Sequence, residues 1–131
     1  VVSFDIKMKK EYFEFTGEGH HKFSGVIWLP ENEPKVVVQI VHGMTEHIER
    51  YERLAGILTE AGIGVAGFDL RGHGKNAVGL QCASFGEEGW QMMLKDPIIS
   101  CNLEKTFSKI KPFSVGIFLG VIFSKGIFWY L

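Results

Sequence analysis

A chain of 131 residues has room for one domain and one core, and a net charge of −1 gives no basic excess for a nucleic-acid backbone. Its hydrophobic share of 46%, beside 22% charged residues, is that of a globular protein and not of a fibrous or disordered one. Two cysteines, Cys82 and Cys101, are too few for a disulfide framework, so reduced thiols in a cytoplasmic protein are expected.

Residues 1–10 alternate charged and apolar side chains and hold no apolar stretch of signal-peptide length. Residues 11–16 set Tyr12, Glu14 and Thr16 on one side and Phe13 and Phe15 on the other, the period of an antiparallel strand with one solvated face. Gly17-Glu18-Gly19 is a turn signal, residues 22–29 read as a second strand, and the polar loop from Pro30 to Pro34 closes a hairpin. From Val36 to Val41 the chain is apolar apart from Gln39, the pattern of a strand buried on both faces of a parallel sheet. Residues 48–61 have helical period, with Tyr51, Leu54, Ala55 and Leu58 at i, i+3, i+4 and i+7 and Gly62 as the stop. Residues 64–69 form a short apolar strand, so strand, helix and strand predict a right-handed βαβ crossover. A glycine-rich loop over 71–79 leads to a second helix over 85–95, with Glu87 and Glu88 in its first turn, Trp90, Met92 and Met93 on its core side, and Pro97 limiting it.

The chemistry is concentrated in His42-Gly43-Met44-Thr45-Glu46-His47, between the buried strand and the first helix. An enzyme that attacks a carbonyl must stabilise an oxyanion, and fixed backbone N–H groups at the carboxyl edge of a sheet do this well. Gly43 lets the backbone turn and approach a substrate closely, which makes the N–H of Met44 the first donor. The second donor in such folds follows the nucleophile. His42, Glu46, His47 and Glu49 lack the His-Glu-x-x-His spacing, so no metal site is expected. The pair His20-His21 reads as solvated, and Gly72-His73-Gly74 lacks the Gly-Lys-Ser/Thr ending of a phosphate loop.

That hexapeptide, then Tyr51 and its helix, then Phe68-Asp69-Leu70-Arg71-Gly72-His73-Gly74, resembles the monoglyceride lipase / lysophospholipase branch of the α/β-hydrolases, the serine aminopeptidase S33-like group. The resemblance covers residues 13–96 and implies the N-terminal part of an α/β-hydrolase, truncated: an antiparallel hairpin, then a parallel βαβ unit with flanking helices. It implies a serine esterase or lipase that needs no cofactor and acts on monoglyceride- or lysophospholipid-like acyl esters. By the same resemblance Met44 is an oxyanion-hole donor, and His42, Gly43 and Glu46 shape its loop. Asp69, Arg71, Gly72, His73 and Gly74 make a structural turn, so His73 is not the catalytic base. The family follows that turn with a short polar pair ending in Ser; here Lys75-Asn76 stand instead.

Residues 1–96 are therefore read as the N-terminal part of the hydrolase domain, and 97–131 as a divergent apolar tail. No Gly-x-Ser-x-Gly elbow occurs in the sequence. Ser114 and Ser124 are the candidate nucleophiles by position, but neither has flanking glycines, and no acid or histidine follows them. Codons for residues 116–126 can be chosen so that a frame displaced by one nucleotide spells Gly-Phe-Ser-Leu-Gly, which makes an out-of-frame or degenerate tail one reading. A non-catalytic fragment or pseudo-enzyme is a second. A third is a small membrane-associated protein, peripheral to the bilayer through residues 113–131, with Phe118, Phe123, Phe128, Trp129 and Tyr130 at the interface. The strands at 36–41 and 64–69 would lack the neighbour that normally pairs between or beside them. Residues 115–123 are the candidate replacement strand; self-association is the other outcome.

Overall fold

The computed structural model describes residues 7–43, 45–77, 91–92 and 95–96, together with the backbone of 115–119. Strands β1 (Met8–Thr16) and β2 (Lys22–Pro30) form the expected hairpin, with Met8 opposite Pro30 and Thr16 opposite Lys22. Phe15 is buried and Tyr12 is 57% exposed, so the alternation does separate a core face from a wet one. The hairpin closes where the Gly17 N–H donates to the His21 carbonyl at 2.8 Å and Gly19 takes a φ of +66°.

Strands β3 (Val36–Val41), β4 (Ile63–Phe68) and β5 (Val115–Leu119) complete a five-stranded mixed sheet in the order β1-β2-β4-β3-β5. β3 and β4 pair directly and in parallel, Val36 opposite Ile63 and Ile40 opposite Gly67. Of the two places expected for the missing neighbour, between or beside these strands, their direct pairing leaves only the place beside, because a short crossover returns the chain to the neighbouring position. On the other side of β3, residues 115–119 of the tail pair in parallel, Val37 opposite Val115 and Val41 opposite Leu119. The anticipated replacement strand is present beside β3 over Val115–Leu119, and the rest of its expected range, 120–123, lies outside the described residues.

The connection between β3 and β4 is not one helix over 48–61. Ile48–Tyr51 is a 3-10 turn and α1 spans Glu52–Glu60. The Ile48 N–H is drawn to the Asp69 carboxylate at 2.7 Å, which anchors the first turn to the end of β4, and the tighter 3-10 form is common at such helix starts. Gly62, at φ +81°, ends the helix as expected.

Side chains alternate between two cores. On the α1 side Val26, Trp28, Ile40, Ile48, Ala55 and Val65 are buried, with Tyr51, Leu54 and Leu58 packed against them. Gly67 is required here, because a Cβ would lie 2.3 Å from the Ile48 side chain. On the opposite side Phe15 and Phe23 stack at 4.9 Å and Phe68 meets both edge-on, beside Val41 and Leu70. Such aromatic pairs add about 0.5–1.5 kcal/mol each beyond their area burial.

Gln91, Met92, Lys95 and Asp96 are helical; the rest of the second expected helix, with Trp90 and Met93, lies outside the described residues. So do Cys82, Cys101 and residues 120–131. Among the described residues no helix is long and apolar enough to cross a membrane, and no group of His, Cys, Asp and Glu converges to hold a metal ion.

Candidate functional site

Parallel pairing of β3 and β4 brings their carboxyl ends side by side, so the segments that follow them meet. His42, just after β3, is wholly buried there. The Leu70 N–H donates to its Nε2 at 2.8 Å. Nε2 is therefore unprotonated, the ring proton sits on Nδ1, and Nδ1 donates to the Gly43 carbonyl at 2.8 Å. Burial pushes the His42 pKa below the usual imidazole range, although the Gly43 carbonyl and Asp69 pull the other way. The Asp69 carboxylate stands 3.9 Å from Nε2, close enough to pair with a charged ring. We assign the neutral ring, since Leu70 already occupies Nε2 and Asp69 accepts the N–H groups of Ile48 at 2.7 Å and Lys75 at 2.9 Å.

The loop beyond His42 is held from its other side by Glu46. Oε2 of Glu46 accepts the Gly43 N–H at 3.0 Å and the Tyr51 hydroxyl at 2.9 Å. Those two donors, Gly43 first, hold the Glu46 carboxyl below the usual carboxylate range. Burial, then the neighbouring carboxylate, pushes the Tyr51 hydroxyl up. The left-handed backbone of this loop falls on Thr45, at φ +62°, and not on Gly43. The sequence reading gave the turning role to the glycine; the structure gives it to a β-branched residue, which adopts that region only under external constraint. Met44 lies outside the described residues, as do Ser114 and Ser124.

The segment after β4 is a locked turn. Besides the two Asp69 carboxylate bonds, Asn76 Nδ2 donates to the Asp69 carbonyl, and Asn76 Oδ1 accepts the Ser24 N–H at 3.1 Å. Gly72 and Gly74 take φ of +69° and +48°, and a Cβ on Gly74 would lie 2.2 Å from the Asp69 carboxylate. His73 is buried, its Nδ1 is 2.8 Å from the Arg71 carbonyl, and its ring lies 5.3 Å from that of His42. Arg71 makes a two-point pair with Asp96, Nε to Oδ2 at 2.7 Å and Nη2 to Oδ1 at 3.1 Å, and its guanidinium lies over the Phe23 ring. Asp96 is 1% exposed, so the pair ties the second helical segment to the turn in a dry setting.

Sequence reasoning missed three of these parts. Tyr51 reads as helix core and does pack there, but its hydroxyl reaches the loop. Asn76 reads as a departure from the family and is a lock of the turn; an Asn after Gly-Lys is a signal that its amide can bond nearby backbone. No local signal ties Asp96 to Arg71. At the surface, Lys10 bridges Glu49 and Glu52 at 3.2 and 2.9 Å, and Lys75 sits over Tyr12; this network braces β1 against the helix start and lies outside the buried cluster.

Residues 32–106 match the family model described as serine aminopeptidase, S33, a hydrolase family. The chain belongs to this family. A monoacylglycerol lipase of Mycolicibacterium smegmatis is 38% identical to this S33 chain over 64 residues, which cover 43% of the chain and 23% of the relative. The monoglyceride lipase of Rattus norvegicus is 28% identical over 94 residues, covering 71% of the chain and 30% of the relative. A cold-adapted esterase from an Arctic intertidal metagenomic library superposes with a TM-score of 0.70 at 26% identity, over 86% of the chain and 50% of that protein. The S33 chain thus has the α/β-hydrolase fold, and its match spans less than a third of each of these two lipases.

Proposed function

We propose that residues 42–51 form the oxyanion-stabilising loop of a serine esterase or lipase, with the N–H of Met44 as first donor. The observation that carries this reading is that both peptide units flanking the Gly43 Cα are held: the 43–44 unit at its carbonyl by His42, and the 42–43 unit at its N–H by Glu46. A donor aimed before the substrate arrives costs no reorganisation during reaction, and one such donor is worth about 10²–10³ in kcat. The 43–44 peptide is planar, so fixing its carbonyl also fixes the plane that carries the donor. The names of the two lipases support acyl esters of the monoglyceride class as substrates.

One specific observation favours a second reading, in which these 131 residues do not turn over ester: they contain no Gly-x-Ser-x-Gly elbow. An oxyanion loop without a nucleophile leaves only weak residual catalysis. A fluorophosphonate probe and a short p-nitrophenyl ester, applied to the purified chain, separate the two. The second reading expects no labelled serine and hydrolysis at the buffer rate. Labelling of Ser114 or Ser124, lost together with ester turnover on its replacement by alanine, would overturn it and identify a complete hydrolase.

A further inference from the structure

We infer that Tyr51 is a positioning residue for the loop after β3, acting through Glu46 on the Gly43 peptide. The inference deepens the oxyanion-loop reading of residues 42–51 and rests on it for its purpose. Tyr51 stands at the junction between the 3-10 turn and α1, as the residue capping the helix start, with φ −87° and ψ 6°. Its ring packs against the core formed by Ile48, Ala55, Ile40 and their neighbours. Packing of the ring sets the direction of the phenol, and the hydroxyl ends 2.9 Å from Glu46 Oε2. The same oxygen takes the Gly43 N–H at 3.0 Å. One carboxylate oxygen thus joins a side chain fixed in the core to a backbone group in the loop.

Glu46 is partly exposed and has several rotamers open to it. Tyr51 selects the one that reaches back over Thr45. Thr45 is held at φ +62°, a conformation unfavourable for a β-branched residue, so the loop needs a restraint from outside itself. Glu46, aimed by Tyr51, supplies that restraint across Thr45, while His42 holds the Gly43 carbonyl from the opposite side. The charges facing Glu46 are Arg50, on the same turn, and His42, which is neutral in the assigned tautomer.

The alternative is that Tyr51 only fills space. Tyr51→Phe keeps the ring and removes the hydroxyl, so it tells the two apart. The measurement is amide hydrogen exchange of the full ¹⁵N-labelled chain, read at Gly43 and, as an internal control, at Leu58 in α1. Tyr51→Phe is expected to speed Gly43 exchange about fivefold, the loss of one partly exposed charge-assisted hydrogen bond, and to leave Leu58 unchanged. Glu46→Ala is expected to speed it further, and Tyr51→Phe on that background to add nothing, because the hydroxyl acts through the carboxylate. In the wild type the Gly43 amide shift should follow protonation of Glu46, and in Tyr51→Phe that midpoint should move upward. Gly43 exchange unchanged in Tyr51→Phe, or sped equally at Gly43 and Leu58, would overturn the inference. Because no readout here uses ester turnover, an inactive chain with the expected Gly43 response would count against the hydrolase reading and not against the role of Tyr51.

Discussion

His42 is the side chain whose loss should be felt most. Alanine at this position removes an acceptor from the Leu70 N–H and a donor from the Gly43 carbonyl, both bonds 2.8 Å long and both at a wholly buried ring. Each buried polar group left without a partner costs about 1–3 kcal/mol, so the two together cost about 2–6 kcal/mol. We take about 4 kcal/mol, a large part of the roughly 5–15 kcal/mol that a domain has in total. Glutamine can still offer an acceptor to Leu70, and His42→Gln should lose about half as much. Urea unfolding of the full chain with each variant gives the comparison.

The pH dependence has a definite sign. The folded-state pKa of His42 lies below its unfolded value of about 6.5. Below that value the unfolded chain binds a proton that the folded chain refuses, so stability is fully present above about 6.5 and falls as the pH drops toward the folded pKa. His21, whose pKa burial also lowers, gives a slope of the same sign, so the quantity to compare is the difference between wild type and His42→Gln. Between pH 7.5 and 5.5 the variant should lose less stability than the wild type. A cost under about 1 kcal/mol for His42→Ala, or an unchanged slope in His42→Gln, would refute the neutral, doubly bonded assignment.

Other expectations follow from the same contacts. Gly74→Ala places a Cβ against the Asp69 carboxylate at a left-handed position, and should cost about 2 kcal/mol or more in denaturant unfolding. Asp96→Asn leaves the buried Arg71 guanidinium without its carboxylate and should cost about 3–5 kcal/mol; a neutral result would mean the pair is not buried in solution. Glu46, whose carboxyl is held below the usual range, contributes stability above its ordinary pKa and loses it as the pH falls through the folded one; Glu46→Gln should flatten that acid limb in a thermal scan. Ile117→Pro in β5 should speed amide exchange across residues 37–41 of β3 while leaving the β1–β2 hairpin protected, because among the described strands β5 pairs with β3 and not with the hairpin.

What could be read in the sequence was what local pattern dictates. Period 2 marks Phe13 and Phe15 because one face of the hairpin is wet, and the run from Val36 to Val41, apolar apart from Gln39, marks burial on both faces. The helix stripe from Tyr51 to Leu58 shows because α1 covers one side of the sheet. What could not be read depends on partners far along the chain. The 3-10 start at Ile48 answers to Asp69, Arg71 answers to Asp96, and β5 answers to β3. In the loop, composition suggested that Gly43 turns the chain, yet the strained angle falls on Thr45 because side chains on both sides hold Gly43 in place. The hydroxyl of Tyr51 left no trace in a periodicity that records only its ring.

The most direct measurement transfers residues 42–51 of this chain into the Mycolicibacterium smegmatis monoacylglycerol lipase, in place of the corresponding loop, and compares kcat with that of the parent enzyme. If the segment is a working oxyanion loop, kcat should stay within about tenfold of the parent with KM little changed, since the donor would still meet the transition state. A folded chimera that loses about 10²–10³ in kcat at unchanged KM would lack that donor and would contradict the assignment.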